Sequence, residues 1–145
     1  MKYRLFLLAC AFLAAMPGQS RADDCADFPA MLESCSPYQC SFVHPFTRQA
    51  MEKNIRGENN GKCLYTEQMP GGGRLECAYT PEMRQAVTEE LRNYASGKPI
   101  SGKTHGTASA SGSNIQSTYV MDGKEYPSAM QQALNEGQCV TTGYK

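Results

Sequence analysis

Six cysteines constrain this chain more than any other feature: Cys25, Cys35, Cys40, Cys63, Cys77 and Cys139. They follow a leader-like N-terminus. An even set in an exported chain reads as three disulfides formed in an oxidising compartment. Six cysteines allow 15 pairings, and their spacing does not choose among them. Parity narrows the choice in one respect. Five of the six precede residue 97 and one follows it, so complete pairing within one chain requires Cys139 to bond back to the first body.

The export reading rests on residues 1–22. Lys2 and Arg4 form a positive head, Leu5 to Met16 an apolar run of 12 residues, and Ser20-Arg21-Ala22 a small-x-small ending. That is the layout of a signal peptide cut after Ala22. The apolar run falls short of the ~20 residues that a bilayer-spanning helix needs, so no membrane span is expected after cleavage. Leu7-Leu8-Ala9-Cys10 resembles a lipid-attachment box, but the apolar run continues past Cys10, and a cut there would split it. Cleavage removes three of the 14 basic residues and none of the 14 acidic ones, leaving 11 against 14, a net charge of −3. No concentrated basic face remains for a phosphate backbone, and nucleic acid is not an expected partner.

The mature chain of 123 residues fits one domain. The full sequence has no Trp and 13 Gly, which suggests a modest core that gains from covalent staples. Residues 23–96 read as the main domain, 97–114 (GKPISGKTHGTASASGSN) as a flexible Gly/Ser/Thr/Lys linker, and 115–145 as a C-terminal segment. Within the main domain, Phe28, Met31, Leu32 and Cys35 have helical spacing, and Cys40 to His44 reads as a strand entering Pro45. Residues 48–57 fit either a helix ending at Gly57 or a strand. The strand is preferred because Asn59-Asn60-Gly61 is a hairpin turn followed directly by Cys63-Leu64-Tyr65-Thr66.

Residues 63–79 read as a hairpin around Pro70-Gly71-Gly72-Gly73, with Cys63 opposite Cys77 and Tyr65 opposite Leu75 if the midpoint lies near Pro70. The main helix follows, with Thr80 as cap, Pro81 in its first turn and Gly97 just past its end. Met83, Ala86, Val87, Leu91 and Tyr94 make its apolar stripe, while Glu89 and Glu90 read as a solvated face. The C-terminal segment has a Tyr119-Val120-Met121 strand, an Asp122-Gly123 turn, a helix from Pro127 to Gly137 and a strand at Cys139-Val140. Its 31 residues must dock on the main domain. The expected fold is therefore α+β: a small antiparallel sheet packed against one main helix, disulfide-stapled, with a flexible linker and a docked C-terminal β-α-β segment.

Gly97, Gly102, Lys103 and Thr104 satisfy the phosphate-loop pattern G-x-x-x-x-G-K-[ST]. A working phosphate loop needs a strand before it and a helix after it. Here a helix precedes and a Gly/Ser tract follows, so the match reads as compositional, and no cofactor is expected. His44 and His105 are the two histidines. Neither carries a local nucleophile signature, and Cys35-x4-Cys40 lacks the spacing of a redox C-x-x-C pair. Oxidised cysteines leave no thiolate set for zinc, and no metal is expected. Met31, Met51, Met69, Met83, Met121 and Met130 are scattered and read as core filler rather than copper ligands.

The functional expectation is an exported, periplasmic or secreted, disulfide-stabilised interaction or binding protein whose partner is another envelope or secreted protein. A small exported enzyme using the His44 region is the alternative. An inhibitor that inserts the Pro70 to Gly73 loop into a secreted hydrolase is a third.

Overall fold

A computed structural model describes residues 25–44, 47–109 and 112–143. Residues 1–22, read above as a signal peptide and including Cys10, and Pro45 lie outside them. The elements in chain order are α1 (Phe28–Ser34), β1 (Tyr38–Val43), β2 (Ala50–Asn59), β3 (Lys62–Gln68), β4 (Arg74–Tyr79), α2 (Pro81–Ala95), β5 (Ile100–Ser109), β6 (Gly112–Met121), β7 (Lys124–Pro127), α3 (Ala129–Asn135) and β8 (Cys139–Thr142). Five strands form an antiparallel sheet in the order β1-β2-β3-β4-β8. The other three form a second antiparallel sheet, β5-β6-β7. The fold is α+β, as the alternation and capping signals imply.

Local chemistry accounts for the element boundaries. Cys35 takes a left-handed conformation and closes α1, its N–H bonding to the Leu32 carbonyl. Asn60 and Gly61, with φ of 51° and 75°, make the tight β2–β3 turn; both signs match the primed turns that suit the right-handed twist of a hairpin. Residues 48–57 thus resolve largely into strand, β2 starting at Ala50. Thr80 accepts the Met83 N–H as the α2 cap, and Gly97 lies beyond the helix end at φ 72°.

Alternation along the strands puts Cys40, Ile55, Cys63, Tyr65, Leu75, Cys77, Tyr79 and Cys139 on one buried face of the larger sheet. Phe28 and Leu32 of α1, Met83 and Val87 of α2, and Ala129 and Ala133 of α3 complete this core. The methionines belong to packing: Met51, Met83 and Met121 are buried, and Met31, Met69 and Met130 lie against the core.

The structure departs from expectation in three places. The β3–β4 hairpin pairs Cys63 with Tyr79, Tyr65 with Cys77 and Glu67 with Leu75, two residues away from the expected register. Its loop turns about Gly71 rather than Pro70, because Gly71 and Gly72 both adopt positive φ and the Met69 N–H bonds to the Gly73 carbonyl at 2.8 Å. A shift of two preserves the faces, whereas a shift of one would have inverted them.

The tract 97–114, expected to be a flexible linker, is instead mostly strand. Ile100–Ser109 pairs with Gly112–Met121 along ten consecutive positions. Strand pairing satisfies backbone groups and does not require large side chains, so a composition unable to build a core still builds a ribbon. A boundary at residue 114 consequently falls inside β6, and a further strand, β7, pairs with residues 118–121.

The α2 stripe is also rotated. Met83 and Val87 are buried and Leu91 is half-buried, but Ala86 and Tyr94 are exposed, while Thr88 and Glu90 are buried. The helix is covered by α1 and α3 as well as by the sheet, which widens its hidden surface. Glu90 therefore does not belong to a solvated face.

The cysteines pair as Cys25–Cys40, Cys35–Cys63 and Cys77–Cys139. The last spans 62 residues and joins the C-terminal strand to the first body, the crossing that parity requires. Docking is completed by β8, whose Cys139 sits directly opposite Cys77 in the sheet. Three bridges in a chain of this size are the construction of an extracellular, covalently stabilised small protein. No helix among the described residues is long and apolar enough to cross a membrane.

Candidate functional site

The helices do not cover the whole buried face of the larger sheet. Where coverage ends, a cleft of about 380 Å³ opens, lined by Lys53, Glu67, Met69 and Leu75 from the sheet side, Val87, Glu90, Leu91 and Tyr94 from α2, and Ser128 and Met130 at the start of α3. Strand register explains its floor. Lys53 pairs with Glu67, and Glu67 with Leu75, so the three side chains form one row across β2, β3 and β4. Val87, Leu91 and Tyr94 recur at helical spacing above it.

Glu90 joins two elements. Only 5% of it is exposed, and its carboxylate accepts three hydrogen bonds: from the Tyr94 hydroxyl at 2.8 Å, the Ser128 hydroxyl at 2.9 Å and the Met130 N–H at 3.1 Å. Ser128 in turn accepts the Gln131 N–H as the cap of α3. A buried carboxylate is tolerable when its lone pairs are occupied in this way, so Glu90 ties α2 to the first turn of α3.

Glu67 is held differently. It accepts a hydrogen bond from the Tyr65 hydroxyl and has no ion-pair partner among the described residues. Its cross-strand neighbour Lys53 places its ammonium over the rings of Phe42 and Phe28, 4.7 and 5.1 Å from their centroids. Cation–π attraction on a half-buried site stabilises that placement. Opposite charges that are adjacent across the ladder thus turn to different partners.

The tyrosines around the cleft keep their protons tightly. Burial pushes the Tyr65 hydroxyl well above its ordinary value, and the negative charge of Glu67 adds to the effect. Burial likewise raises Tyr79, with Glu67 and Glu90 both contributing. Tyr94 is raised by burial and by its bond to Glu90. These hydroxyls act as hydrogen-bond donors at any physiological pH. The Tyr79 hydroxyl donates to the Met130 sulfur at 3.5 Å, a weak acceptor.

The residues singled out from sequence lie elsewhere. His44 serves the β1–β2 connection: its Nδ1 accepts the Thr47 N–H at 3.2 Å and its backbone N–H bonds to the Gln49 carbonyl at 2.9 Å. It does not line the cleft. Of the phosphate-loop pattern, Gly97 follows α2, whereas Gly102, Lys103 and Thr104 lie in β5 opposite Tyr119, Thr118 and Ser117. The order is helix, loop, strand, the reverse of a phosphate cradle. His105 also lies in β5. The Pro70 to Gly73 loop forms a tight turn, and a Cβ added at Gly143 would come within 4 Å of Gly72 and Gly73.

The cleft residues carry a signal in the sequence. Glu67 continues the alternation Cys63, Tyr65, Glu67 onto the apolar face. Glu90 falls at i+7 from Met83 and i+3 from Val87, within the stripe rather than outside it. A carboxylate in an apolar register is the informative exception. Compared with known proteins, the chain matches no family model, no curated protein and no solved structure.

Proposed function

We propose that this protein is an exported binding protein, acting through contact with another envelope or secreted protein, and that the cleft between the sheet and α2–α3 is its contact site. The observation that carries this reading is the cleft itself. It combines apolar walls from Met69, Leu75, Val87, Leu91 and Met130 with a few fixed polar groups, the composition typical of recognition sites. Its polar groups are arranged for holding rather than for bond breaking. The Ser128 hydroxyl is engaged as donor to Glu90 and acceptor from Gln131, and the Lys53 ammonium rests on two rings. Three disulfides support the export that this role requires.

The test compares affinity capture by the mature, oxidised protein with capture by Leu91→Trp, which fills the cleft from α2. A stoichiometric partner retained by the first and lost by the second supports the reading. A partner captured equally by both would move the contact site elsewhere. Circular dichroism and non-reducing peptide mapping establish that the variant keeps its fold.

A further inference from the structure

Deepening the binding reading on which it rests, we infer that the cleft recognises an organic cation with an apolar stem: a primary amine or guanidinium whose charged end meets Glu67 while its stem lies against Leu75, Leu91 and Met130. The charges on the walls select this class. Two carboxylates, Glu67 and Glu90, line the cleft from opposite sides, and among the described residues Lys53 is the one cation lining it. The walls therefore carry net negative charge. Low-dielectric surroundings strengthen that field relative to bulk water.

The two carboxylates are not equivalent. Glu90 already accepts three hydrogen bonds, whereas Glu67 accepts one, from Tyr65. Carboxylate oxygens offer roughly four acceptor sites, so Glu67 retains acceptor capacity beside an apolar wall. The nearby ammonium does not take it up. Lys53 lies across the ladder from Glu67, yet its charge sits over Phe28 and Phe42. A ligand ammonium that displaced water from Glu67 would form a charge-assisted hydrogen bond, stronger than a neutral one. The volume of about 380 Å³ suits one such group on a short stem. The same chemistry is available from a free alkylamine and from a lysine or arginine side chain of a protein partner.

Titration of the full mature, oxidised protein with n-hexylamine, hexanol, hexanoate and a lysine blocked at both backbone ends, followed by NMR, tests the inference. Hexylamine or blocked lysine should perturb Met69, Leu75, Leu91 and Met130, binding about tenfold more tightly than hexanol, with hexanoate weakest. Tighter binding of blocked lysine than of hexylamine assigns the cation to a protein side chain; the reverse order assigns it to a free amine. Two variants should move affinity in opposite directions. Glu67→Gln weakens the amine about tenfold, and Lys53→Met, which removes the competing positive charge and keeps the stem, tightens it several-fold. A purely structural role at either position would not produce opposite signs.

Equal binding of hexanol or hexanoate, or unchanged amine affinity in Glu67→Gln, overturns the cation class and leaves the binding reading in place. If no probe binds while a captured partner still depends on an open cleft, the cation class again falls alone. Loss of both probe binding and cleft-dependent capture removes both.

Discussion

Replacing Glu90 by alanine leaves the Tyr94 hydroxyl, the Ser128 hydroxyl and the Met130 N–H without the acceptor they share. The three donors are only partly shielded from water, so Glu90→Ala should destabilise the protein by about 1–2 kcal/mol, read from urea denaturation. Glu90→Gln keeps the shape but turns an amide NH2 toward donors, and should cost about half as much. A second residue-scale expectation concerns alkali. Tyr65 and Tyr79 hold their protons far above the ordinary value of 10.0 in the folded chain. The unfolded chain therefore ionises first. Their contribution is fully present below pH 10 and is lost as pH rises above it, at up to about 1.4 kcal/mol per pH unit for each. Half-exposed Tyr94 adds less. Thermal midpoints followed through this range should stay level below pH 10 and then fall, with tyrosinate absorbance from Tyr65 and Tyr79 developing only on unfolding.

At the scale of elements, glycines separate positions that need a left-handed backbone from those that do not. Gly61 has φ 75° in the β2–β3 turn, and Gly61→Ala should cost about 1 kcal/mol through backbone strain alone, since an added Cβ meets nothing within 4 Å. Gly102 has ordinary backbone and equally open space. Gly102→Ala should be neutral or stabilising by about 0.5 kcal/mol, because strand pairing gains from a stiffer unfolded chain. Chemical denaturation of the two variants side by side checks both signs.

These same segments show what the sequence made legible. Capping by Thr80, the Asn60-Gly61 turn and the alternation in β3 and β4 are local signals, and each element they imply is present. The hairpin register was not local, since it depended on how Gly71 and Gly72 fold into the loop. Nor was the ribbon β5–β6 readable from composition, because backbone pairing leaves no mark on side-chain hydrophobicity. The cleft was half legible: Glu67 and Glu90 sit in apolar registers, but only the positions of α1 and α3 around α2 decide that both face one space.

For the whole molecule, the bridges should contribute in order of the chain they constrain. The separations are 15, 28 and 62 residues for Cys25–Cys40, Cys35–Cys63 and Cys77–Cys139. The chain-entropy relation gives about 3 kcal/mol for the shortest loop and about 4 kcal/mol for the longest. Paired serine variants should therefore lose most stability when Cys77 and Cys139 are replaced, as urea midpoints would show, with non-reducing peptide maps confirming that the other two bridges persist. The connectivity also dictates an order of events. The first two bridges are interlaced, so a chain oxidised from its N-terminus meets Cys35 as a partner for Cys25 before Cys40 is within reach. That premature link must be exchanged, not merely formed. Cys77 meanwhile has to remain a thiol until the last strand arrives. A catalyst that only oxidises would trap this chain in non-native pairs, and one that reshuffles would release it.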